Sequence, residues 1–281
     1  MTMTPEQITD PLCYHGEGPV WSETWGGLRW VDMLAGDLLT LRADGSVDRL
    51  HVGTVAAFVR PRAAGGYVVG LERGLGLADG PDDAPRALPE MWADTGVRMN
   101  EGGCDPAGNL YAGSMPYEKT PGAAKLYRIT PAGQVSVVLP AVTTSNGIDF
   151  APDGSRAYYN DTQTGGTDVF DVVDGELTNR RPFHSGDGGR PDGLCVDSAG
   201  NVWVALNRVG KVRCYSAGAE ILTEVDLPVR LTTACTLGGA DGRDLYVTTS
   251  REKLEDPEPE AGAVFRLRVD VPGKPVLPYG G

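Results

Sequence analysis

The chain has 281 residues, 41% of them apolar, and a formal charge of −13 with no clustered run of Lys or Arg. Phosphate-backbone binding needs such clusters, which argues against a nucleic-acid partner, and no apolar run approaches the roughly 18 residues of a membrane-spanning helix. The 39 glycines and 21 prolines are spread along the whole chain and predict many short strands and turns instead of long helices.

Residues 1–10 lack the basic and apolar segments of a signal peptide, so a cytoplasmic location is expected. Beyond them one unit recurs: a turn ending in Gly, an apolar-aromatic strand, then a second strand. It is weak at first, with Gly26-Gly27 before Leu28-Arg29-Trp30-Val31 and Gly65-Gly66 before Tyr67-Val68-Val69. It becomes explicit at Asp105-Pro106-Ala107-Gly108-Asn109 before Leu110-Tyr111, and at Ala151-Pro152-Asp153-Gly154-Ser155 before Ala157-Tyr158-Tyr159. Asp197-Ser198-Ala199-Gly200-Asn201 before Val202-Trp203-Val204 and Ala240-Asp241-Gly242 before Leu245-Tyr246-Val247 complete the series. The strand starts lie 39, 43, 47, 45 and 43 residues apart, the length of a four-stranded propeller blade. Following strands are legible at 125–129, 167–170, 210–213 and 263–267.

The prediction is an all-β chain forming a single six-bladed β-propeller domain over residues 1–281. The Pro- and acid-rich segments 80–89 and 251–262 are expected to be surface excursions. Cys13, Cys104, Cys195, Cys214 and Cys235 are odd in number and form no C-x-x-C pair, so reduced thiols packed among strands are expected.

In a propeller the strand before each turn lines the central channel. About ten residues before the repeat starts stand Glu17 (offset 11), Asn100 (10), Asn146 (11) and Asp192 (10). The same phase gives Ala56-Ala57 and Ala234-Cys235 in the other two units. Equal phase means equal height along the axis, so the four polar side chains are expected to converge at one end of the channel. Glycines follow them in Glu17-Gly18, Asn146-Gly147 and Asp192-Gly193, and would let the backbone approach a ligand closely. The competing reading of each pair alone is an ordinary hairpin turn. Two carboxylates and two amides make a hard oxygen donor set for one divalent ion in the channel, Ca2+, Mg2+ or Mn2+, with Zn2+ or Fe2+ as alternatives. The two carboxylates would neutralise the dication.

At these motifs the chain resembles the senescence marker protein (regucalcin)/gluconolactonase family of sugar-lactone hydrolases, nearly end to end. The resemblance is carried by Gly16-Glu17-Gly18-Pro19-Val20-Trp21, Arg98-Met99-Asn100, Gly113-Ser114-Met115, Ser145-Asn146-Gly147, Pro191-Asp192-Gly193-Leu194, Thr232-Thr233-Ala234-Cys235 and Ala261-Gly262-Ala263-Val264-Phe265. It implies Glu17, Asn146 and Asp192 as metal ligands, Asp192 also as general base, and Arg98, Asn100 and Glu118 as substrate contacts. Two departures stand near the motifs: Glu101, where the family usually has Asp, and His15, on the same strand face as Glu17.

The implied activity is metal-assisted hydrolysis of a small lactone, with a sugar-acid lactone as the expected partner of a monomer or weak oligomer. The rivals are phosphotriester hydrolysis on the same site and a non-enzymatic calcium-binding propeller. No G-x-S-x-G elbow is present, which argues against a serine nucleophile.

Overall fold

The computed structural model describes residues 4–186 and 188–281 and consists of six four-stranded antiparallel sheets. Each explicit turn of the repeat joins the innermost strand of a blade to its second. The second strands are Gly27–Asp32, Tyr67–Gly70, Leu110–Pro116, Arg156–Asp161, Val202–Asn207 and Asp244–Thr249, each starting within one residue of the predicted position. The innermost strands are Gly16–Ser22, Val59–Pro61, Val97–Cys104, Ser145–Phe150, Arg190–Val196 and Thr232–Gly238, and neighbours touch around the ring.

Burial falls from axis to rim. The innermost strand of blade three, Val97–Cys104, is buried throughout, whereas its outermost strand, Val135–Val142, is mostly exposed or half-buried. Apolar residues of facing sheets fill the wedges between blades; Trp21 of blade one stacks on Tyr246 of blade six at 5.5 Å between ring centroids. All five cysteines are free thiols. Among the described residues no helix is long and apolar enough to cross a membrane.

Blade six is built from both parts of the chain. Glu6–Gln7 pairs antiparallel with Val264–Arg268, so an N-terminal strand completes a sheet whose other three strands come from residues 232–268. The C-terminal segment then crosses one end of the channel. Gly273 bridges to Asp197, Tyr279 N–H donates to Pro61 O at 2.8 Å, and Lys274 Nζ donates to Asp149 Oδ1 at 2.8 Å. A small cavity of about 70 Å³ remains beneath it.

The two expected excursions differ from the prediction. Segment 80–89 contains Arg86–Ala87, the outermost strand of blade two, held by only two register pairs with Leu77 and Gly76. So short a strand leaves no alternation to read. Segment 251–262 is irregular, but Glu252 and Lys253 turn inward to line the larger cavity at the other channel end.

Candidate functional site

The innermost strands break register where the polar residues stand: between Glu17 and Val20, Met99 and Gly102, Ser145 and Ile148, and Pro191 and Leu194. A bulge leaves a residue unpaired and re-aims its side chain. Glycines complete the device, in a way that differs from the sequence expectation. Neither Gly147 nor Gly193 has a positive φ, so they are not hairpin turns. A Cβ on Gly147 would stand 2.4 Å from Leu194 N, and one on Gly193 would stand 2.3 Å from Ala234 Cβ. These glycines let adjacent innermost strands approach each other, not a ligand.

At the open end lies a cavity of about 310 Å³, lined by Glu17, Arg98, Asn100, Asn146 and Asp192 among others. That is the low end of the range for small-molecule sites. Glu118 does not line it. It is exposed on the turn after Leu110–Pro116, while its neighbours Tyr117 and Lys119 line the cavity.

The carboxylates are buried: Glu17 is 2% exposed and Asp192 6%. Burial pushes the Asp192 pKa up to about 8; the amides of Asn207 and Asn146 pull it down, and Glu101 adds a further upward push. Of the two amides, Asn207 makes the hydrogen bond of ordinary geometry, Nδ2 to Asp192 Oδ2 at 2.9 Å. Glu17 is likewise raised well above the usual carboxylate range, first by burial and then by Asp192 and Glu101. Two anions are thus held close together out of water, an arrangement that strongly disfavours charging both without a cation.

The oxygen inventory narrows the donor set. Asn146 donates Nδ2 to Thr162 Oγ1 at 2.9 Å, which fixes the amide, yet its Oδ1 is buried with no hydrogen-bond partner among the described residues. Asp192 Oδ1 is in the same condition. Buried acceptors without partners are rare enough to need a reason. Asn100 differs: its Oδ1 accepts from Arg98 Nη1 at 2.8 Å and its Nδ2 donates to Ser145 O at 2.8 Å. Glu17, Asn146 and Asp192 therefore fit a divalent oxygen-seeking cation. Among the described residues no three His, Cys, Asp or Glu side chains are grouped so as to hold a metal ion by themselves, so the set depends on the amide oxygen.

Arg98 is 5% exposed, and its Nη1 also donates to Met99 O at 2.8 Å. His15 lines the cavity with Nδ1 2.7 Å from Ser250 Oγ and Nε2 3.9 Å from Glu17 Oε1. Burial lowers its pKa to about 4, so the ring is neutral near pH 7. Glu101 is turned away: its Oε1 accepts from Arg60 Nη2 at 2.9 Å, and it lines the small cavity at the closed end.

Sequence reading missed the residues that hold this geometry. Asp32 accepts the N–H groups of Tyr14 and His15 at 3.1 and 2.9 Å, just ahead of Glu17. Asp161 accepts those of Thr143 and Thr144 at 3.0 and 2.9 Å, just ahead of Asn146. Asn207, also at the end of a second strand, holds Asp192 itself. The signal was present in the repeat: Asp32, Asp161 and Asn207 each close the strand that starts at a repeat position.

Six sheets around a channel, with an oxygen-lined cavity at one end, define a six-bladed β-propeller. Residues 15–251 match the family described as "SMP-30/Gluconolactonase/LRE-like region", and the chain belongs to that family. It is 37% identical over 270 residues to 6-deoxy-6-sulfogluconolactonase of Pseudomonas putida, covering 92% of each chain. It is 33% identical over 287 residues to regucalcin of Sus scrofa, covering 96% of each. A crystal structure of regucalcin from Agrobacterium tumefaciens, described as a calcium-binding protein, superposes with a TM-score of 0.93 at 25% identity, covering 99% of this chain and 98% of that one.

Proposed function

We propose that the chain opens a small sugar-type lactone to its hydroxy acid, using one divalent cation held by Glu17, Asn146 and Asp192. The observation that carries this reading is the pair of unpartnered buried oxygens, Asn146 Oδ1 and Asp192 Oδ1, beside the Glu17 carboxylate. A bound dication supplies positive charge that polarises an ester carbonyl and stabilises the oxyanion formed on attack.

The chain's own residues supply the rest. Asp192 accepts a proton from the attacking water, which adds to the carbonyl carbon. The bond from that carbon to the ring oxygen breaks, and the ring oxygen takes up the proton that Asp192 accepted, becoming the new hydroxyl and restoring the carboxylate. Asn207 keeps the Asp192 carboxylate oriented through the 2.9 Å hydrogen bond to Oδ2. Arg98, already committed to Asn100 Oδ1, presents the remaining face of its guanidinium to substrate oxygens. The buried Arg98 favours catalysis over simple ion storage, because a calcium store needs no cation beside its ligands.

The test is acid release from a panel of five- and six-membered lactones and one phosphotriester, before and after chelation and after adding back Ca2+, Mg2+, Mn2+, Zn2+ or Fe2+. Lactone opening that vanishes on chelation and returns with one ion is the expected result. Full activity after exhaustive chelation, with the fold intact, overturns the metal assignment; turnover of the phosphotriester alone overturns the substrate class.

A further inference from the structure

The rim of the cavity is basic although the molecule carries a net charge of −13. Lys119, Arg190, Arg208 and Lys253 all line it. Three of them occupy matching places in the repeat: Lys119, Arg208 and Lys253 lie within four residues of the ends of Leu110–Pro116, Val202–Asn207 and Asp244–Thr249. Their loops therefore rise around the same end of the channel.

The backbone at these positions is unusual. Among the described residues six non-glycine side chains have a positive φ, and Lys119 (53°), Arg208 (75°) and Lys253 (56°) are half of them. Glycine or asparagine would hold such a turn with less strain. Turn geometry thus does not account for long cations here; what they face does.

They face one another across the opening. Burial lowers the Lys119 ammonium pKa, Glu252 opposes that shift, and the positive charges of Lys253, Arg208 and Arg190 lower it further. Lys119 also acts across the cavity on Asp192. Lys253 has a carboxylate 3.5 Å away, Glu252, which also stands 4.0 Å from His15 Nδ1. Lys119 and Arg208 pair with no carboxylate among the described residues. Rim cations that outnumber their one neighbouring carboxylate, Glu252, leave an excess of positive charge that is a site for an anion.

We propose that Lys119, Arg208 and Lys253, with Arg190, recognise a negatively charged substituent of the lactone: a sulfonate, phosphate or carboxylate carried away from the ring carbonyl. This rests on the lactonase reading. The placement follows from the layout of the cavity: Glu17 and Asp192 on its floor are committed to the cation that takes the ring carbonyl, and the rim cations attract an anion.

The experiment compares kcat/KM for glucono-1,5-lactone, its 6-phosphate, its 6-sulfonate and the 6-carboxylate analogue, using the full chain with its activating cation. The best charged lactone should exceed the neutral one by about tenfold or more at low salt, through KM, with the advantage shrinking near 0.5 M salt. Lys119→Ala and Arg208→Ala should each reduce the charged-to-neutral ratio about two- to fivefold. The double variant Lys119→Glu with Arg208→Glu should bring it to one or below. A ratio near one in the wild type, unchanged in the double variant, overturns the proposal while leaving lactonase activity standing. If no lactone is opened, the lactonase reading fails, and calorimetry with gluconate and gluconate 6-phosphate decides the rim separately. Preference for the phosphorylated acid, lost in the double variant, supports it; equal binding overturns it.

Discussion

Replacing Asp192 by Asn separates the electrostatics of the site from its chemistry. In the metal-free protein, burial holds the Asp192 pKa at about 8, against an ordinary value of 3.8. Between these values the folded chain keeps a proton that the unfolded chain has lost. The group's contribution to stability is therefore present at low pH and is lost as pH rises toward 8. From about pH 5.5 to 8 the loss is roughly 2.5 pKa units, or about 3 kcal/mol at 1.36 kcal/mol per unit. Asn does not titrate, so the metal-free Asp192→Asn variant should gain about 3 kcal/mol on the wild type across that interval. At roughly 2 °C per kcal/mol this is about 6 °C in Tm. Comparing the two proteins at both pH values cancels groups that do not feel Asp192, including His15, whose lowered pKa works in the opposite direction. Glu17 does not cancel, but it loses the upward push of Asp192 in the variant and so adds to the difference in the same direction. The assay is thermal or urea unfolding after chelation, repeated with added divalent ion, which should restore the wild type at pH 8 more than the variant. A difference between variant and wild type that stays the same at both pH values, within about 0.5 kcal/mol, would refute the reasoning.

Asn146→Ala should weaken cation binding by about tenfold or more, equivalent to about 1.4 kcal/mol, with much of the rate returning at saturating metal in a titration. Asn207→Ala removes the donor that lowers the Asp192 pKa. The acid limb of its pH–rate profile should therefore move upward by about one unit, as expected for a charge-assisted hydrogen bond. Gly147→Ala drives a Cβ to 2.4 Å from Leu194 N, and calorimetry should show about 2–3 kcal/mol of destabilisation, with no change in charge. Glu118→Ala, outside the cavity lining, should leave kcat/KM within about twofold.

The blades were legible because the turn and second strand repeat with strong aromatic and Gly signals. The residues that converge were found by phase alone, since Glu17, Asn100, Asn146 and Asp192 do line one cavity. Phase could not show which oxygens stay open: Asn100 and Asn146 look equivalent in sequence, yet Arg98 occupies the oxygen of the first. It also misread the adjacent glycines: they were expected to let the backbone approach a ligand, but a glycine that makes room for a neighbouring strand leaves the same Asn-Gly trace. The direction of Glu101 was not legible either. Adjacent residues on a strand point to opposite sides, and its side chain is committed to Arg60 at the closed end.

The pairing of Glu6–Gln7 with Val264–Arg268 sets a schedule for making the molecule. The Arg266–Glu6 ion pair joins residues 260 positions apart. A chain emerging from the ribosome can fold early blades, yet cannot latch the ring until its last blade is out. Until then Val264–Arg268 presents an unpaired strand edge, a template for pairing with another chain. The cavity draws on loops from His15 to Lys253, so it too comes late and as a whole. Once latched, the ring has no blade that can leave without breaking contacts on both sides. How long the fold lasts is then governed by how rarely the latch opens.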